Sequence, residues 1–358
     1  MRKILAFILM TTILFAIAGC SSKSEVVTSE STTTEVQTSD ASAEETTAAA
    51  EQAKPSKGGS AGMSGGLSDT GVDTSSIENQ FIDIAYGSLS STQTLNIYLP
   101  NEGEGPFPVI VAIHGGAFKM GSATGGDVSA MLEGVNRGYA VVSINYRLSD
   151  EAIFPAAVND CKAAIRFIKA NAEKYNLNVE KIAVWGDSAG GNLASMVGTT
   201  ASVDSLNGEN TENLEYSSEV QAVVDWFGPL DFLMMDEQFE ASGITPVFGK
   251  TSSETSPESQ YIGQLITNDP ELTQSANPNT YIETMNVENA PKFLIQHGTA
   301  DGNVPSQQSV DFAARLSEAL GSDNVVIDLL EGAGHGTSEF TTQENLDKVF
   351  AFLDTVLK

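Results

Sequence analysis

The spacing of apolar residues divides the chain into three stretches. Residues 4–18 form an apolar run, interrupted by Thr11 and Thr12 alone, behind Arg2 and Lys3 and ahead of Gly19 and Cys20. From Ser21 to about Ser76 apolar residues are sparse and aromatic residues are absent; Ser, Thr, Glu, Ala and Gly dominate. Regular patterning begins near Ile77. Residues 81–86 and 93–99 alternate about Gly87 and Ser88, which predicts an antiparallel hairpin. Beyond it, short continuous apolar runs at 109–113, 140–144, 181–185, 222–227, 292–296 and 325–330 predict strands buried on both faces. Helical spacing falls between them. A helix is expected over 128–137, closed by Gly138, and another over 155–175, opened by Pro155, with Ala157, Cys161, Ala164, Ile165 and Ile168 on one side. Further helices follow from Asn192 and over 342–356. Alternating β and α units of this kind predict a mostly parallel sheet with helices on both faces, preceded by the hairpin.

Two stretches break the rhythm. Residues 202–219 are acidic and polar and read as an exposed loop. Residues 228–290 exceed an ordinary connection between strand and helix, so they read as a functional insertion. The insertion carries Phe232, Leu233, Met234, Met235, Phe239, Val247 and Phe248, with ten acids and one lysine. Those apolar side chains would either line a pocket or pack the insertion onto the body.

Composition separates the stretches further. A basic start, an apolar run too short to span a bilayer and a small-residue end describe an export signal at residues 1–20. Ile17-Ala18-Gly19-Cys20 resembles a bacterial lipobox, which implies lipidation at Cys20 and a lipid anchor on the extracytoplasmic face of the cell membrane. Residues 21–76 cannot bury enough apolar surface to offset ordering, and read as a disordered tether. Residues 77–358 are then the folded body. With Cys20 lipidated, Cys161 has no partner for an intramolecular disulfide and reads as a buried thiol. The chain holds 47 acidic against 18 basic residues, a net charge of −29. Such an excess argues against nucleic acid, against electrostatic docking on anionic lipid, and against anionic substrates beneath the insertion.

The candidate chemistry centres on Gly186-Asp187-Ser188-Ala189-Gly190-Gly191. Strand, G-x-S-x-G, helix is the context of a nucleophile elbow, where a serine stands clear of its backbone on a sharp turn. The alternative is a glycine-rich loop with a helix-capping serine. A serine nucleophile needs a base. His335, flanked by glycines in Gly332-Ala333-Gly334-His335-Gly336 after the last strand, is the candidate; Asp301, just past the preceding strand, would orient it. The order Ser188, Asp301, His335 is that of α/β-hydrolases, and all three follow strands, on the sheet edge where parallel folds place ligands. His297 competes as base and Asp328 as acid, but each lies in or at the end of a strand run. His114-Gly115-Gly116-Ala117-Phe118, after the strand at 109–113, matches an oxyanion loop. Gly116 is the first candidate donor there, with Ala117 or Gly115 as alternatives, and Ala189 supplies the second N–H. His114 would brace the loop. The insertion would cap the Ser188 site.

These motifs, with Asn145-Tyr146-Arg147-Leu148 and the run from His297 to Pro305, resemble the α/β-hydrolase esterases of the BD-FAE-like and hormone-sensitive-lipase-like groups. The resemblance covers residues 81–358. It implies Ser188 as nucleophile, His335 as base and Asp301 as its acid, with no cofactor and no metal. Ala117-Phe118 stands where relatives often carry a third glycine and a tryptophan. Arg147 is expected to pair with a carboxylate under the site. The expected substrate is an acetyl or feruloyl ester on plant polysaccharide or its fragments. A serine peptidase of the same fold shares the residue order, and a binding lipoprotein without chemistry would have no need of the complete set.

Overall fold

The computed structural model describes residues 71–358 apart from Thr211. Cys20, the expected export signal and the tether through residue 70 lie outside the described residues. The body is one eight-stranded sheet in the order β1-β2-β4-β3-β5-β6-β7-β8. β1 (Asn79–Ala85) and β2 (Thr94–Leu99) form the expected antiparallel hairpin, and β2 runs antiparallel to β4 (Ala140–Ile144). From β4 onward every neighbour is parallel: β3 (Phe107–Ile113), β5 (Leu177–Asp187), β6 (Ala222–Trp226), β7 (Lys292–Gly298) and β8 (Val325–Leu330).

The continuous apolar runs are explained by two-sided burial. In β3, Val109, Val111 and Ile113 enter one core while Ile110 and Ala112 enter the other; in β5, Ile182 and Val184 oppose Ala183 and Trp185. The first core is covered by α2 (Ala156–Ala170), α4 (Ala189–Thr200) and α8 (Gln307–Leu320), and the second by α1 (Ser129–Asn136) and α9 (Gln343–Leu357).

Three sequence expectations change in detail. The helix expected through residue 175 ends at Ala170 and resumes as the short α3 (Ala172–Tyr175). At the break the Asn171 side chain bonds Phe167 O at 2.9 Å, competing with the backbone for the helix carbonyl. No helix was read between β7 and β8, yet α8 is there, turning Phe312, Ala313, Leu316 and Leu320 inward among mostly polar neighbours. Residues 71–76 pack on the body ahead of Ile77: Val72 N–H donates to Thr124 O at 2.9 Å and its side chain joins the second core.

The insertion contains α5 (Met235–Ser242), α6 (Pro257–Ile262) and α7 (Pro270–Ser275). Phe232, Met235 and Phe239 are buried in the first core, with Leu233 packed against it, so these residues fasten the insertion to the body; Met234, Val247 and Phe248 remain exposed. Among the described residues, no helix is long and apolar enough to cross a membrane.

Candidate active site

Ser188 joins the end of β5 to the start of α4. Its φ of 52° and ψ of −120° lie where a residue with a side chain is strained. The surrounding glycines are required by close approach. A Cβ on Gly186 would lie 2.1 Å from Gly190 O, and one on Gly190 would lie 2.1 Å from Ile113 O. Ser188 N–H donates to Trp226 O at 2.8 Å, and its carbonyl accepts from Asn192 N–H at 3.1 Å. Beneath the turn, the fully buried Asp225 accepts from Ser195 Oγ and from Gly228 N–H, both at 2.9 Å. Burial pushes its carboxyl up to about 6. The sequence reading passed Asp225 by; its signal is one acid inside an otherwise apolar strand.

The loops after β7 and β8 bring Asp301 and His335 to this turn. His335 Nδ1 lies 2.7 Å from Asp301 Oδ2, and its Nε2 lies 2.9 Å from Ser188 Oγ. A carboxylate only accepts, so Nδ1 carries the proton and Nε2 presents its lone pair to the serine hydroxyl. Asp301 is 1% exposed, and its other oxygen accepts from the N–H groups of Asn303 (2.7 Å) and Val304 (2.9 Å). Burial alone would raise its pKa. The charge of His335 and hydrogen bonds from both histidines outweigh burial and hold the carboxyl far below the usual range. The His335 ring rests on Phe227, with centroids 4.6 Å apart.

The competing residues settle into supporting places. His297 Nε2 faces Val304 O at 3.0 Å and Asp301 Oδ2 at 3.3 Å, while Nδ1 meets Ser309 Oγ at 2.7 Å. Two acceptors at Nε2 require the proton there, so His297 braces Asp301 and does not reach Ser188. Asp328 pairs instead with Lys348 at 3.7 Å and with Gln296. Arg147 makes the expected pair, gripping Asp160 at 2.8 and 2.9 Å, and Cys161 is buried.

The loop after β3 supplies candidate oxyanion donors. Gly116 (φ 99°), Ala117 (φ 57°) and Phe118 (φ 59°) are three successive residues in left-handed conformations. Gly116 and Ala117 line a cavity of about 430 Å³ together with Ser188 and His335. Gly115, the third loop candidate, precedes the left-handed run, and a Cβ on it would lie 2.8 Å from Asp187 Oδ2. Ala189 opens α4 immediately after Ser188, where helix N–H groups have no partner in the helix. His114 is buried and stacked on Tyr146, and donates from Nδ1 to Gly115 O at 2.8 Å. Burial lowers its pKa to about 4, so it stays neutral and braces the loop as expected.

The insertion reaches the loop from the other side. Phe118 stacks on Tyr261 of α6, with centroids 3.9 Å apart and planes 8° from parallel, and Lys119 Nζ donates to Gln260 Oε1. Phe248 and Pro257 of the insertion line the cavity together with Asp127, Trp226 and Phe340. Of the seven apolar insertion residues singled out from the sequence, Phe248 alone lines this cavity. Among the described residues, no group of three or more His, Cys, Asp or Glu is placed to hold a metal ion.

A hydroxyl, an imidazole and a buried carboxylate in this sequence, beside unoccupied N–H groups, can activate the hydroxyl and stabilise charge on an oxygen it attacks. Comparison with known proteins agrees with such chemistry. The BD-FAE family model matches residues 95–316. Esterase LipC of Mycobacterium tuberculosis is 30% identical over 231 residues, 64% of this chain and 53% of LipC. The probable carboxylic ester hydrolase LipM of the same organism is 29% identical over 66% of this chain and 51% of its own length. The chain thus spans about half the length of these curated relatives. A truncated carbohydrate esterase from gut microbiota superposes with a TM-score of 0.69 at 29% identity, covering 80% of this chain and 99% of that one. A bifunctional GH43-CE protein of Bacteroides eggerthii gives a TM-score of 0.68 at 34% identity, over 78% of this chain and 35% of that one.

Proposed function

This chain belongs to the BD-FAE family of α/β-hydrolase esterases, and from that footing we propose that it is a serine esterase acting through an acyl-enzyme. The observation that carries the reading is the unbroken path from Ser188 Oγ to His335 Nε2 and from His335 Nδ1 to Asp301. Ser188 Oγ attacks the ester carbonyl carbon while its proton passes to His335 Nε2. The imidazolium formed is stabilised by Asp301, and the carbonyl oxygen, now negative, takes hydrogen bonds from Ala189 N–H and from Gly116 or Ala117 N–H. The carbon–oxygen bond to the alcohol breaks, and His335 gives the proton to the leaving oxygen. Water, deprotonated by His335, then releases the acid and restores Ser188.

The proposed substrates are acetyl or feruloyl esters on plant polysaccharide or its fragments. Two solved neighbours named for carbohydrate ester chemistry support this class, as does a cavity wide enough for a sugar or a cinnamoyl ring, with Phe248 at one wall. The proposed location is the extracytoplasmic face of a bacterial membrane, held by lipid on Cys20. Its support is the sequence Ile17-Ala18-Gly19-Cys20. Acetate and ferulate release from naturally acylated xylan tests the substrate, counting only activity that Ser188→Ala removes. Release of neither, with small synthetic esters still cleaved, would discard the polysaccharide and keep the esterase. Cleavage of peptides and not esters would discard both. Cys20→Ser should move the protein out of the membrane fraction of intact cells.

A further inference from the structure

Backbone strain singles out a residue that has no step in the proposed reaction. Among the described residues, seven other than glycine have positive φ. Two of these, Phe118 and Phe227, carry an aromatic ring, for which that conformation is costly. Phe118 belongs to the oxyanion loop. Phe227 follows β6 directly, with a φ of 44°. Fixed neighbours hold it in that conformation. Before it, Trp226 O accepts from Ser188 N–H at 2.8 Å; its own N–H donates to Gln296 O of β7 at 2.8 Å. After it, Gly228 N–H donates at 2.9 Å to Asp225 Oδ1, while Asp225 Oδ2 accepts from Ser195 Oγ of α4. A Cβ on Gly228 would lie 2.6 Å from Asn192 N, so the turn is packed closely against α4.

The ring so placed is buried and meets the proposed base. Its centroid lies 4.6 Å from that of His335 and 4.6 Å from that of Phe340. A Cβ on Gly336 would come within 3.6 Å of Phe227 Cζ, so the ring also underlies the residue after the base. His335 needs such support. Its loop contains Gly332 and Gly336, both at positive φ. An imidazole has two nitrogens to bond, and here they meet Asp301 and Ser188. Those two bonds leave the ring free to turn about the line that joins the nitrogens. We infer that Phe227 is a positioning residue: its strained turn sets an aromatic ring against the His335 imidazole, which keeps Nε2 on Ser188 Oγ and Nδ1 on Asp301 while the proton passes. This rests on the esterase reading. Phe227 also lines the cavity, so the test has to separate support of the base from contact with substrate.

The test uses the full chain, a chromogenic acetate ester, and a fluorophosphonate that phosphonylates Ser188. Phe227→Ala should lower kcat about 100-fold, the scale of a misplaced reacting group, with KM within about two-fold. The phosphonylation rate should fall in the same ratio, because the probe draws on the same base. Phe227→Tyr keeps the ring and should hold kcat within about three-fold of wild type. Phe227→Gly should melt above Phe227→Ala, since glycine takes positive φ without strain, and yet be no more active. Phe227→Leu fills the space without a flat ring; it should lose about ten-fold in kcat and serves if the smaller variants do not fold. Activity that follows melting temperature across these variants, a change confined to KM, or wild-type kcat in the alanine or leucine variant would overturn the inference. A wild-type protein inactive on the ester would overturn the esterase reading and the inference together. An active wild type silenced by Ser188→Ala confines any failure to Phe227.

Discussion

Asp301→Asn puts the proposed base to a sharp test, because the structure dictates how the new side chain must sit. The N–H groups of Asn303 and Val304 both point at Asp301 Oδ1, at 2.7 and 2.9 Å. They accept no hydrogen, so the amide oxygen takes that position and the NH2 group takes the place of Oδ2. There it faces two donors, His335 Nδ1 at 2.7 Å and His297 Nε2 at 3.3 Å. His335 relieves the clash by moving its proton to Nε2, leaving Nδ1 to accept from the amide. Nε2 then points N–H, and no lone pair, at Ser188 Oγ. The base is lost while every heavy atom stays near its place. In Ser-His-Asp sites the wrong tautomer costs about 10⁴ in kcat, which at about 1.4 kcal/mol per decade is about 5.5 kcal/mol of barrier. Hydrolysis of a chromogenic acetate at pH 7, with circular dichroism to confirm folding, should show that loss in kcat and a KM near wild type. A folded variant keeping more than about a tenth of wild-type kcat would refute the assignment, since a loss that small cannot come from the wrong tautomer.

Other perturbations probe other levels. Gly190→Ala sets a Cβ 2.1 Å from Ile113 O; β3 and α4 must part, and thermal unfolding should report a loss of about 3 kcal/mol or more, whereas an unchanged melting temperature would contradict the packing. Lys162 is fully buried and donates to Thr200 O and Val203 O at the end of α4; burial, with Arg166 nearby, lowers its pKa to about 8. Between pH 8 and the ordinary lysine value near 10.4, the unfolded chain retains a proton that the folded chain has released, so stability rises with pH by about 3 kcal/mol. Lys162→Met should remove that rise, read as the difference between urea midpoints at pH 7.5 and pH 10; the same rise in the variant would deny the lysine a part. Phe248→Ala should raise KM for a feruloyl ester by about ten-fold, the worth of burying an aromatic face, and leave acetyl esters unaffected. Equal effects on both esters would place the aromatic acyl group elsewhere.

What was legible in the chain was what local spacing encodes. Runs such as 109–113 and 222–227 announced strands buried on both faces because each face has its own core. The glycines about Ser188 announced a backbone contact that no side chain fits. Chain order and strand ends were enough to propose Asp301 and His335, which the fold brings together. Residues that act through partners remote in sequence left weaker traces. Asp225 lies beneath the elbow, yet in the strand pattern it is one acid among apolar neighbours. Asp187 lies 72 positions after Gly115, and only the fold brings its carboxylate close to that glycine. The insertion misled in a similar way. Its phenylalanines show that it is anchored, but whether Phe232 or Phe248 meets the cavity depends on which face of the fold each turns toward. α8 escaped notice because Gln308 and Ser309 are buried through specific bonds, to Leu230 N–H and to His297, and polar residues on an inward face blur the helical period.

The stacking of Phe118 on Tyr261 has a bearing on how this scaffold can be altered. The two rings belong to segments 143 positions apart, and neither is more than 1% exposed. Tyr261 O also accepts from Phe154 N–H at 2.8 Å. Substrate range in such a scaffold would be retuned most simply by exchanging the insertion for that of a relative. Here the exchange would carry away half of an aromatic pair that props the catalytic loop. A transplanted insertion therefore has to travel with the residue at position 118 that suits it, and a chimera that ignores the pair would lose turnover before it gained a new specificity.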